Sequence, residues 1–168
     1  MIGDVFLEWA DTYSEYVIFL VPVIAFLEAS IGVGLFVSGA ILLSVCTMLY
    51  TQEIASLYQM LPLAFAGATT ADHLGYFFGR WIGPAFHYTR FAKRYSKQLT
   101  KTEQLIIKRG ELSIIFGRLI PAVRSVVPIL TGISGLPLAR YIRYDLIACS
   151  IWVAGLGLLV VSIGTLLT

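Results

Sequence analysis

An all-α integral membrane protein is the fold class this sequence predicts. The expected architecture is two opposed re-entrant helical hairpins plus spanning helices, arranged as an inverted-topology repeat. Three observations carry that expectation. The chain is 58% hydrophobic and 13% charged, with mean hydropathy +0.83, whereas a soluble domain has about twice that charged fraction. Its apolar residues fall into four long stretches. Basic residues gather between the second and third stretches and just before the fourth, which marks those places as cytoplasmic. All 168 residues read as a single membrane domain.

Residues 1–16 are an acidic segment, with Asp4, Glu8, Asp11 and Glu15 and no Lys or Arg. A cleavable signal would begin with basic residues, so none is expected. Residues 17–50 form the first apolar stretch, interrupted only by Glu28. One span needs about 20 residues, and two need about 40 and a turn. The intermediate length fits a hairpin that enters and leaves on one side. Ile31-Gly32-Val33-Gly34 and Ser38-Gly39 supply its bend. A single long tilted helix is the alternative.

Residues 54–88 are expected to span. Gly67, Ala71, Gly75 and Gly79 recur every four positions and make one small-residue ridge on a helix, which lets another helix approach closely. Asp72 adjoins that ridge and so points into the bundle.

Residues 90–109 carry Arg90, Lys93, Arg94, Lys97, Lys101, Lys108 and Arg109 against Glu103. Phe91, Tyr95, Leu99, Thr102 and Ile106 fall at helical spacing. The segment therefore reads as a cytoplasmic amphipathic helix lying along the headgroups. A basic run can also bind nucleic acid, but a chain this apolar argues against it.

Residues 112–136 are interrupted by Pro121, Pro128, Gly132 and Gly135. Proline removes a helical donor and clashes with the preceding turn. Irregular backbone at membrane depth is tolerated only when it is buried in protein or lines a wet cavity. A second re-entrant hairpin follows. Residues 144–168 are an uninterrupted spanning helix, with Arg140 and Arg143 at its cytoplasmic end. The charges then fix the order as hairpin plus span, twice, in opposite orientations, with the site where the broken segments meet.

Chemistry concentrates in four intramembrane charges: Glu28, Asp72, Arg118 and Arg124. A charge at bilayer depth costs about 2.5–3.5 kcal/mol on insertion scales and marks a functional position by default. Arg118 and Arg124 would face different sides of an unbroken helix, and a bend near Pro121 would bring both to one pocket. A guanidinium fork matches phosphate oxygens, and carboxylates at this depth can take up and release protons. The bland alternative is two buried ion pairs that only hold the halves together. Gly132-Ile133-Ser134-Gly135 has the form seen around the serine of rhomboid-type proteases. The histidine that would activate it must follow it in sequence, and His73 and His87 both precede it. No catalytic role is expected. No residues show metal-ligand spacing, and no cofactor is expected. Cys46 and Cys149 read as buried small hydrophobes.

Phe116-Gly117-Arg118-Leu119-Ile120-Pro121-Ala122-Val123-Arg124-Ser125 through Pro128 and Gly132 resembles the signature of the DedA family, also called SNARE-associated or VTT-domain proteins. Thr131 stands where alanine is usual. Ala71-Asp72-His73-Leu74-Gly75-Tyr76-Phe77-Phe78-Gly79-Arg80 resembles the family's second signature, with Ala71 for its first glycine. Phe26-Leu27-Glu28 resembles its first re-entrant segment. The resemblance implies a transporter of the bacterial cytoplasmic membrane that moves a phosphate-bearing lipid carrier such as undecaprenyl phosphate between leaflets. It assigns phosphate binding to Arg118 and Arg124 and proton coupling to Glu28 and Asp72. It gives hairpin and packing roles to Gly75, Gly79, Gly117, Pro121, Pro128 and Gly132. Family habit also implies a homodimer. The family's second acid, in a P-G-(E/D) triplet, is Ala40 here. Coupling then rests on Glu28 and Asp72 alone, or is absent, or serves another cargo. The alternatives are a proton-linked transporter of small ions or solutes and a non-transporting membrane scaffold.

Overall fold

A computed structural model describes residues 14–30, 33–35, 39–83, 88, 90–94, 97, 100, 104, 112–120 and 123–167. Among these residues there are helices and no strands. In chain order they are α1 Ser14–Val17, α2 Leu20–Ala29, a 3-10 turn at Val33–Leu35, α3 Gly39–Thr51, α4 Leu57–Ile82, α5 Arg90–Arg94, α6 Leu112–Leu119, α7 Val127–Ile133 and α8 Leu138–Leu167. The 1–13 part of the acidic segment lies outside the described residues, as do Pro121 and most of the 90–109 linker.

The 17–50 stretch forms two helices, α2 and α3, that pack against each other. It is not one long helix. α2 has Pro22 in its first turn, where a missing N–H breaks no helical bond. It ends at Ser30, whose hydroxyl donates to the Phe26 carbonyl at 2.7 Å. After α3 the chain turns sharply. Glu53 adopts φ 57°, and the Ile54 and Ala55 amides both reach back to the Leu49 carbonyl. α4 starts at once, because the Ser56 amide donates to Gln59 Oε1 at 3.0 Å and satisfies an end donor.

α4 has 26 residues, about 39 Å of helix. α8 has 30 residues and begins directly after Pro137, whose carbonyl accepts from the Arg140 and Tyr141 amides. Its start lies upstream of 144, so Arg140, Arg143 and Asp145 are all helical residues. One helix among the described residues is long and apolar enough to cross a membrane, Leu138–Leu166, with mean hydropathy 2.5. Its flank exposes Leu146, Ile147, Ile151, Leu158, Leu159 and Leu166, the surface expected where lipid is the solvent.

The long helices organise the rest. α4 carries α2 and α7, and α8 carries α3 and α6. Each long helix therefore holds one limb of each short pair. The small-residue ridge makes this possible. A methyl group on Gly67 would strike the Pro22 carbonyl of α2, and one on Gly79 would strike the Ile129 carbonyl of α7. Gly132 returns the second contact, lying against the Tyr76 carbonyl of α4.

Two of the apolar cores among the described residues frame the molecule, and a small third one joins Ala29, Ala68 and Ala71. Of the framing two, one joins Val17, Val21, Leu42, Leu49, Met60, Ala64, Leu156 and Val160. The other joins Tyr76, Ile114, Val127 and Tyr141. α4 runs from the first core to the second and α8 from the second to the first, so the two are antiparallel. Between these two cores lie the buried charges, at mid-length of α4 and toward the start of α8.

Candidate functional site

Five charged side chains meet there. Glu28 on α2 is 2% exposed, Asp72 on α4 is 1% exposed and Arg118 at the end of α6 is 7% exposed. Arg118 Nη1 forms an ion pair with Asp72 Oδ2. Arg124, in the turn before α7, forms an ion pair with Glu28 Oε1 through Nη2. The same nitrogen donates to the Glu28 backbone carbonyl at 3.2 Å. α6 stops at Leu119, immediately after Arg118, and this break lets two arginines six positions apart reach one place. Both line a cavity with Ala25, Ala29, Ala68, Asp72 and Trp152. The cavity is about 10 Å³, room for a single water at most.

The fifth charge is Asp145 on α8, 1% exposed, which the sequence reading missed. Its Oδ1 is 3.6 Å from Arg118 Nη1 and its Oδ2 is 3.7 Å from His73 Nδ1. Tyr141, Asp145, Cys149 and Trp152 present one face of α8 to the site. The Tyr141 hydroxyl donates to the Asp72 carbonyl at 3.1 Å, and its ring stacks on Tyr76 at 4.4 Å. The Trp152 ring centre is 5.6 Å from the Arg118 guanidinium carbon, within cation–π range. The available signal was the four-residue spacing of Tyr141, Asp145 and Cys149. Arg140, Arg143 and Tyr144 masked it as a membrane flank.

The site is tightly built. At Gly39 a methyl group would sit 2.8 Å from Glu28 Oε1, and at Gly34 it would strike the Glu28 carbonyl. Gly117 fits against the Val127 side chain, Gly75 is buried and Pro128 is buried in the first turn of α7. Some polar atoms are left over. Among the described residues Glu28 Oε2, Thr47 Oγ1, Arg118 Nε and Ser125 Oγ are buried without a hydrogen-bond partner. Such atoms are costly unless another state uses them. Ligand atoms of Asp72, Asp145 and Cys149 lie within 4.8 Å of one another. A metal there would have to compete with Arg118, which already occupies Asp72. The Ser134 hydroxyl donates to the Thr131 carbonyl at 2.9 Å.

An all-helical membrane protein with a buried, charge-paired centre is the class these features define. Residues 31–164 match the family model described as the VTT domain, and the chain belongs to that family, the DedA family of membrane proteins. It is 28% identical over 137 residues to a membrane protein of Buchnera aphidicola, covering 82% of this chain and 54% of that one. It is 27% identical over 137 residues to the inner membrane protein YabI of Escherichia coli, with coverage of 82% and 54%. The protein DedA of Escherichia coli is 29% identical over 149 residues, with coverage of 87% and 68%. The chain spans about half the length of the curated relatives first matched. No solved structure matches it.

Proposed function

We propose that the chain is a transport unit of the bacterial cytoplasmic membrane that moves a phosphate-bearing lipid carrier, such as undecaprenyl phosphate, between leaflets. The observation that carries this reading is the convergence of Arg118 and Arg124 on one buried cavity, each held by a carboxylate. A guanidinium paired with a carboxylate is a guanidinium that a phosphate can claim once that carboxylate is neutralised. Protonation of Glu28 or Asp72 would release Arg124 or Arg118 to the anion, so that a proton and a phosphate load together. The cavity of about 10 Å³ is too small for a phosphate, and we assign the described conformation to the unloaded state.

Two opposed re-entrant hairpins in an inverted repeat would supply the required motion. The contact pattern supports this arrangement. Exchanging α2, α3 and α4 for α6, α7 and α8 maps every major packing pair onto another. The short limbs also support it, since α2 and α3 have 10 and 13 residues, and α6 and α7 have 8 and 7, too few for a bilayer. The proposal assigns no catalysis, and it keeps the homodimer as an expectation to be read from the native mass.

Native mass spectrometry of the full chain with undecaprenyl phosphate tests the reading. The variants are the charge-neutral pairs Arg118→Gln with Asp72→Asn and Arg124→Gln with Glu28→Gln. Selective binding over ordinary phospholipids in the wild type, weakened about tenfold or more in each pair, is the expected result. Equal weak binding throughout would overturn it and favour small-solute transport. The completeness of the two ion pairs favours a second reading, a non-transporting scaffold. In that case the charge-neutral variants keep both fold and function, because replacing a buried ion pair with neutral groups is often tolerated.

A further inference from the structure

Asp145 has no guanidinium of its own. Arg118 Nη1 is 3.6 Å from it but is in contact with Asp72. Among the described residues the buried centre therefore sets three carboxylates, Glu28, Asp72 and Asp145, against two guanidiniums, Arg118 and Arg124. An uncompensated charge buried in protein is strongly unfavourable. One positive charge is needed to close the balance.

His73 stands where that charge can form. Its Nδ1 is 3.7 Å from Asp145 Oδ2 and 2.7 Å from the Thr69 carbonyl oxygen. A carbonyl only accepts, so Nδ1 carries a hydrogen, and Nε2 is the nitrogen that gains or loses a proton. The His73 side chain is 26% exposed. With Thr69, Thr70, Leu74, Phe77 and Leu146 it lines an open pocket of about 310 Å³ on the outer face of α4 and α8. The sequence His73, Asp145, Arg118, Asp72 thus runs from that outer pocket to the internal cavity.

We propose that His73 and Asp145 form a proton-holding pair. One proton, exchanged at the outer pocket through His73 Nε2, brings the buried centre to neutrality. When it leaves, the Nε2–H bond breaks, the proton passes to a lipid phosphate or a water molecule that reaches the pocket from the headgroup region, and the imidazole is neutral. Asp145 then competes with Asp72 for Arg118. The other ionisable groups around the pair are Tyr141 and Cys149 on α8, Asp72 on α4 and Arg118 on α6. Glu28 on α2 is held by Arg124, Cys46 and Tyr50 lie on α3 and α7 brings no ionisable side chain. The use of this proton in transport rests on the function proposed above. The existence of the pair does not.

The test uses the full chain in detergent with His87→Gln, which leaves His73 as the one histidine of the two. Thermal unfolding and ring ¹⁵N NMR are followed between about pH 5 and 8, with and without Asp145→Asn. The expected unfolding temperature of the parent falls as pH rises, because the centre loses its neutralising proton. Asp145→Asn balances two carboxylates with two guanidiniums and flattens that profile, and the pH response of the His73 ring ¹⁵N signals differs from the parent's. Parallel profiles and an unmoved titration would overturn the pair. If Asp145→Asn does not fold, His73→Gln in the wild-type background decides. It should lose the extra stability at low pH, and an unchanged profile would sink the proposal. Neither readout needs substrate, so a failed lipid-transport assay counts against the transport reading alone.

Discussion

Arg118 touches Asp72 and faces Asp145 at 3.6 Å, so its removal strands two buried acids at once. Arg118→Ala should cost about 3–5 kcal/mol, as losing one partner of a buried pair does. Adding Asp72→Asn should recover a large part of it, measured by thermal unfolding in detergent. No recovery would mean that Arg118 acts mainly through Trp152 and packing. Gly39→Ala should disturb the other pair, since the added methyl lies 2.8 Å from Glu28 Oε1 and nearby overpacking costs about 1–3 kcal/mol. Wild-type stability in that variant would show that Glu28 has room to move. Four of the five central charges were legible because each interrupts an apolar run. Asp145 was not, because one acid beside two arginines and a tyrosine offers no contrast. Its burial is set by where α8 starts, and Pro137 decides that start through backbone bonds that composition does not register.

α4 is the element on which both short helix pairs converge, through Gly67 against α2 and Gly79 against α7. The four-residue ridge announced close packing. It did not announce that its two ends serve different partners, because a ridge specifies a separation and not an identity. Gly79→Val and Gly132→Val press side chains into opposing backbone, which cannot move aside as a side-chain tip can. Each should destabilise the chain by about 1–3 kcal/mol or more, and the pair should be less than additive because both act on one contact. Full additivity in unfolding measurements would show two separate packing sites. That 112–136 is broken into two short helices was readable from its prolines and glycines, but Pro128 and Gly132, expected to interrupt it, lie inside α7. The exact ends of α6 and α7 were not readable, since these depend on which carbonyls the neighbouring helix leaves available.

Across the whole molecule, the pairing of short helices with long ones has the symmetry that opposed halves would produce. Single cysteines test the orientation directly, because native Cys46 and Cys149 are both buried and should resist labelling. In intact cells an impermeant maleimide should label Glu53→Cys, at the turn before α4, and reach Arg140→Cys only after permeabilisation. Labelling of both from the same side would exclude the opposed arrangement.

The division of charge between the halves has a consequence for biosynthesis. Glu28 and Asp72 precede residue 90, whereas Arg118 and Arg124 follow residue 110. As the chain leaves the ribosome, its first half enters the bilayer with two acids and none of their partners. The partners arrive only with α6 and the turn after it, and α3 waits longer still for α8. Each half is thus the other's counterion. A chain halted midway would carry two acids without the arginines that pair with them.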